Sequence, residues 1–105
     1  MAKIPQYSII ISERTQKMLG AHIGFLAKVS AIAAREMRAE MMKAIRSLAI
    51  MPERFPFLEA EHLPPNKYHK MCVENRYLIL YQIKDQKVYI DYIVDCRQDY
   101  GWLIK

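Results

Sequence analysis

Between Lys67 and Asp95 the chain holds three consecutive segments dense in Tyr, Val and Ile, with gaps of only two residues between them. Lys67–Glu74, Tyr77–Lys84 and Lys87–Asp95 are each of strand length, and Asn75-Arg76 and Asp85-Gln86 are each the length of a tight hairpin turn. Links this short force a three-stranded antiparallel meander. Tyr77–Ile83 is almost wholly apolar, which predicts the central strand. Lys87–Asp95 alternates, which places Val88, Ile90, Tyr92 and Val94 on one face and Tyr89, Asp91, Ile93 and Asp95 on the other.

The rest of the chain must cover that sheet. Tyr7–Ser12 (YSIIIS) is short and β-branched, so it reads as a further strand. Ser12 is then the expected N-cap of a helix whose apolar face comprises Met18, His22, Phe25, Leu26 and Val29. Ser30 is the expected second N-cap, and Met37, Met41, Ala44, Ile45 and Leu48 repeat the helical spacing. A connection this short predicts an antiparallel helical hairpin. Pro52, Pro56, Pro64 and Pro65 make Met51–Asn66 a loop, because proline removes donors and restricts the residue before it. The element order is β-α-α-β-β-β in one domain over residues 1–105, an α+β fold with a helical hairpin on a small, mainly antiparallel sheet. Arg97–Lys105 forms a short tail carrying Trp102.

Composition narrows the function classes. Sixteen Lys and Arg against eleven Asp and Glu give a net charge of +5, which points to an anionic partner. No apolar run approaches the roughly 18 residues of a membrane span, and Met1–Tyr7 lacks the apolar core of a secretion signal, so a cytoplasmic location without membrane contact is expected. Cys72 and Cys96 are too few for a disulfide framework and read as buried thiols. Three histidines and two cysteines show no metal-ligand spacing. With no phosphate-cradling glycine loop and no Gly-x-Ser-x-Gly elbow, neither a metal nor an organic cofactor is expected.

Three local motifs carry a resemblance: Tyr68-His69-Lys70, Tyr77-Leu78-Ile79-Leu80-Tyr81 and Arg97-Gln98-Asp99-Tyr100. At these spacings, and over almost its whole length, the chain resembles the RelE/ParE superfamily of bacterial toxins from type II toxin–antitoxin modules. The resemblance implies a growth-inhibiting toxin neutralised by a cognate antitoxin, in a toxin–antitoxin hetero-oligomer. Two modes of action divide the superfamily. RelE-like members cleave messenger RNA on the ribosome, and ParE-like members inhibit DNA gyrase without chemistry of their own. A third possibility is a member that has lost toxicity and only binds its partner. The arginine usual early in the central strand of the nucleases falls here on Leu78, and a usual lysine on Met71.

On the nuclease reading, cleavage by the 2′-hydroxyl needs proton transfer and positive charge at the phosphate. His69 is the candidate acid–base group, Arg97 the phosphate ligand and Tyr100 a stacking or proton-donating group, with Lys67 and Lys70 on backbone phosphates. Strand alternation puts His69 with Lys67, Met71 and Val73, opposite Tyr68, Lys70 and Cys72. Each has a plainer role open to it: a surface histidine, an arginine paired with Asp95 or Asp99, an aromatic pinning the tail. His22 reads as a core or rim histidine. On the second helix, Arg35, Arg38, Met42 and Arg46 form one stripe. It is either a solvated basic face or the landing site for an antitoxin's acidic, partly disordered tail.

Overall fold

Two serines start the two helices. The computed structural model describes residues 6–59, 61 and 63–96. In it β1 (Ser8–Ile11) runs directly into α1 (Glu13–Ala27), where the Ser12 hydroxyl accepts from the Thr15 amide at 3.0 Å. α2 (Ala31–Ser47) begins in the same way, Ser30 accepting from the Ala33 amide at 3.1 Å. Each cap satisfies an amide that the first helical turn leaves without a partner. A single 3₁₀ turn, Pro52–Arg54, follows, then β2 (His69–Val73), β3 (Tyr77–Lys84) and β4 (Lys87–Asp95). The sheet order is β1-β4-β3-β2, with β1 parallel to β4 and the other pairs antiparallel. The predicted β-α-α-β-β-β order and α+β class are those observed.

The turns depend on left-handed backbone without glycine. Asp85 and Gln86 both have positive φ, at 52° and 63°, the pattern of the hairpin turn whose twist matches its strands. In the first hairpin the left-handed pair is Glu74 and Asn75, one residue earlier than the expected Asn75-Arg76. The Arg76 amide closes that turn on the Val73 carbonyl.

The helix-facing side of the sheet holds the main core. Met41 and Ile45 of α2 and Leu48, the residue after it, pack on Met71, Val73, Tyr77, Ile79, Tyr81, Val88, Ile90 and Ile93. Burying each large side chain there stabilises the fold by roughly 1.5–3 kcal/mol. The opposite face carries a smaller cluster of Leu58, Tyr68, Leu78, Leu80 and Val94, covered in part by the proline-rich loop. That loop also runs along the outer edge of β2. Phe57 bridges to His69, the Leu58 amide donates to the Tyr68 carbonyl, and the Lys70 amide donates to the Pro56 carbonyl. Arg54 anchors its start by donating to the carbonyls of Ser47, Ile50 and Met51 at the end of α2.

Two expectations about faces are corrected. Leu80 pairs with Tyr92 and Tyr81 with Ile90, so Asp91 is an extra residue that makes a bulge. The bulge inverts the alternation. Val88, Ile90 and Ile93 face the helices, and Tyr92 and Val94 face away. The apolar face of α1 also differs. Thr15 and Leu26 are buried and Leu19 joins the core margin, but Phe25 and Val29 are 63% and 79% exposed. Among the buried residues of α2, those from Met41 onward join the core cluster and Ala34 does not, so the tip of the hairpin stands clear of it.

Gln86→Gly removes a side chain from a left-handed position and completes an Asp-Gly turn. It is expected to raise unfolding stability by about 0.5–1 kcal/mol, read as an increased urea midpoint with an unchanged slope.

Candidate functional site

The histidine with the most suggestive position is built into the structure. His69 is 7% exposed. Its ring lies between Phe57, at 4.1 Å between centroids, and Tyr81, stacked at 5.2 Å. Nδ1 is 2.7 Å from the Phe55 carbonyl, which can only accept, so Nδ1 carries a proton and donates it there. Beneath it the Tyr81 hydroxyl donates to the Pro52 carbonyl at 2.6 Å. His69 and Tyr81 thus tie the proline loop to the sheet through one stack and two hydrogen bonds to backbone.

The other proposed RNA-contacting groups do not converge on it. Lys67 precedes β2 and holds its ammonium 5.5 Å above the Tyr68 ring. Lys70 alternates with His69 on β2 and lines a groove on the opposite sheet face with Phe55, Pro56, Cys72 and Leu78. Arg97 and Tyr100 lie outside the described residues, as does Trp102. Cys72, expected to be buried, is exposed, and Cys96 is half-buried. Among the described residues no group of three or more His, Cys, Asp or Glu side chains is placed to hold a metal ion.

His22 occupies a structural position. Its Nε2 lies 2.9 Å from the Ile93 carbonyl and its ring 4.8 Å from that of Tyr77. Thr15 donates to the Ile90 carbonyl at 2.8 Å, and Arg14 reaches the Asp91 carbonyl at 3.4 Å with its guanidinium 4.1 Å over the Tyr92 ring. Three side chains of α1 therefore satisfy β4 carbonyls where β1 ends.

The hairpin offers two further surfaces. Arg38 and Met42 of the basic stripe line a groove of about 530 Å³ with Ile11, Leu19 and Ile23. Arg35 and Arg46 are exposed on the same helix and lie outside that groove's lining. Around the turn of the hairpin, Phe25, Val29 and Ile32 are 63%, 79% and 62% exposed, three large apolar side chains within eight residues left to water. Helical spacing alone assigned Phe25 and Val29 to the core. The signal against it was the position of Ser30, which puts these residues at the turn, beyond the sheet's reach.

A helical hairpin laid over a β1-β4-β3-β2 sheet is an architecture consistent with the RelE/ParE superfamily toxins. The family model for the ParE toxin of the type II toxin–antitoxin system parDE matches residues 9–100, and the chain belongs to that family. It is accordingly the toxin of a toxin–antitoxin pair, with an antitoxin as partner. No individually curated protein matches it significantly.

Burial pushes the Tyr81 phenol up to about 12, with Glu53 adding to the rise and Arg54 opposing it. An unfolded tyrosine ionises near pH 10. The neutral phenol's contribution is therefore complete below about pH 10 and is lost as pH rises toward 12, at up to about 1.4 kcal/mol per pH unit. Urea unfolding followed from pH 9 to 11.5 is expected to show a shallower loss of stability in Tyr81→Phe than in the parent chain.

Proposed function

We propose that this toxin arrests growth by binding DNA gyrase through its helical hairpin, without cleaving RNA. The observation that carries this reading is the apolar ridge of Phe25, Val29 and Ile32 at the hairpin tip. Large exposed apolar groups clustered on a small domain mark a surface meant to be covered by another protein. Membership of the ParE family supports the same target. The packing of His69 between two rings, with Nδ1–H already donated to a carbonyl, supports a structural use of that residue. Action on gyrase places the toxin in the cytoplasm, and no helix among the described residues is long and apolar enough to cross a membrane.

The test is pulse-labelling of DNA and protein synthesis minutes after induced expression, beside a gyrase supercoiling assay with purified toxin. DNA synthesis is expected to fall first and supercoiling to be blocked, with ribosome-bound messenger RNA intact. Early loss of translation with DNA synthesis unaffected would instead favour RNA cleavage and make His69, Arg97 and Tyr100, with Lys67 and Lys70 as RNA contacts, the residues to substitute next. Phe25→Glu combined with Val29→Glu should abolish killing while leaving the urea midpoint nearly unchanged, since both side chains are mainly in water.

The antitoxin's acidic tail lies, on this reading, across α2 in a toxin–antitoxin hetero-oligomer. Arg38 and Met42 meet it in the groove, and Arg35 and Arg46 extend the basic stripe. Arg38→Glu replaces attraction by repulsion. It is expected to weaken antitoxin binding by about tenfold or more at low ionic strength, with the difference shrinking as salt is added. An unchanged affinity in titration calorimetry would remove the stripe from the interface.

A further inference from the structure

The two cysteines flank one end of β3. Cys72 lies on β2 opposite Leu78, and Cys96 follows β4 with its amide donating to the Arg76 carbonyl at 2.7 Å. Their sulfurs are 3.6 Å apart on the sheet face away from the helices. Cys72 is exposed and forms part of the wall of a groove of about 400 Å³, with Phe55, Pro56, Lys70 and Leu78. That volume suits a small organic molecule. The groove is apolar apart from the lysine, whose ammonium offers a partner for a carboxylate.

We propose that Cys72 and Cys96 form a dithiol redox site that reacts with a low-molecular-weight disulfide of the glutathione type, bound in the groove beside Cys72. The Cys72 thiolate, having lost its proton to water, attacks one sulfur of that disulfide. A mixed disulfide forms, and the other half leaves as a thiolate that takes up a proton. Cys96, deprotonated in turn, attacks Cys72 Sγ and expels the second half as a thiol. The protein gives up two protons and two electrons and gains one S–S bond, and the small disulfide becomes two thiols. Closure needs the sulfurs to move from 3.6 Å to about 2.05 Å. Cys96 lies just beyond the last paired residue of β4, where its amide is held by the Arg76 carbonyl.

The order of attack follows from exposure and charge. Cys72 is the sulfur that solvent reaches, whereas burial, the hydrogen bond to Cys72 and the nearby Asp95 raise Cys96 to about 11. Cys72 is thus the entry point and Cys96 the resolving thiol. The bond would tie β2 to the residue that ends β4 and close a loop between positions 24 apart. In a reducing compartment the pair rests as thiols and closes only when the thiol–disulfide balance shifts.

The experiment incubates the reduced full-length chain with oxidised glutathione, quenches with acid, and reads intact mass and peptide maps. The parent chain is expected to lose two hydrogens and yield a Cys72–Cys96 cross-linked peptide. Its melting temperature should rise by several degrees as the unfolded chain is constrained. Cys96→Ser should accumulate one stable glutathione adduct on Cys72, and Cys72→Ser should react far more slowly. Independent adducts on both cysteines of the parent chain overturn the proposal. So do cross-links only between two chains, or no reaction. The parent-chain result decides the matter even if a serine variant fails to fold.

Discussion

The outer edge of β4 is the constraint around which the molecule is arranged. β1 has only four residues and pairs as far as Ile90, so past the Ser12 amide, which donates to the Ile90 carbonyl, the outer side of β4 has no strand to supply donors. A buried carbonyl without a partner costs about 1–3 kcal/mol. α1 removes that cost by beginning at once after β1 and turning Arg14, Thr15 and His22 toward Asp91, Ile90 and Ile93. The Ser12 cap is what permits a helix to start there. The path of α1 fixes α2, and α2 delivers Met41, Ile45 and Leu48 to the sheet. The bulge at Asp91 belongs to the same arrangement, because it re-aims β4 where the strand partner gives way to the helix.

The other sheet edge is protected by different means. The proline loop pairs partially with β2 and is held by Arg54 at one end and by the His69–Tyr81 stack further along. An edge strand covered in this way offers fewer backbone groups to stray partners. Residues with chemical potential, His22 and His69 among them, serve that covering. Their ring nitrogens meet backbone carbonyls, and their rings pack on aromatic neighbours.

Division of labour along the hairpin follows from its geometry. The half near the sheet is buried and supplies stability, while the half beyond it keeps Phe25, Val29 and Ile32 in water. Retaining three such groups at the surface works against solubility, and a partner that covers them gives the arrangement a reason. The basic residues of α2 are different side chains from this ridge, although Arg35 stands one turn from Ile32 on the same helix. An antitoxin spread along α2 would still hinder approach to the hairpin through bulk and charge.

Much of the fold was legible in the chain. Ser12 and Ser30 mark their helices because a hydroxyl before an apolar period has few better uses, and Tyr77–Lys84 and Lys87–Asp95 are the observed strands to the residue. Element order, fold class and family were determined by the sequence alone, since periodicity and turn length are local properties. The faces were decided only in three dimensions. A bulge shifts alternation by one residue without any mark in composition, so Ile93 and Tyr92 exchanged sides. Whether Phe25 and Val29 are core depends on how far the sheet extends beneath α1, and whether His69 is free depends on a loop that returns from fourteen residues upstream. The approach of Cys72 to Cys96 across β3 is likewise a product of the fold. Spacing along a chain specifies which residues share an element, and only packing between elements specifies which of them meet water.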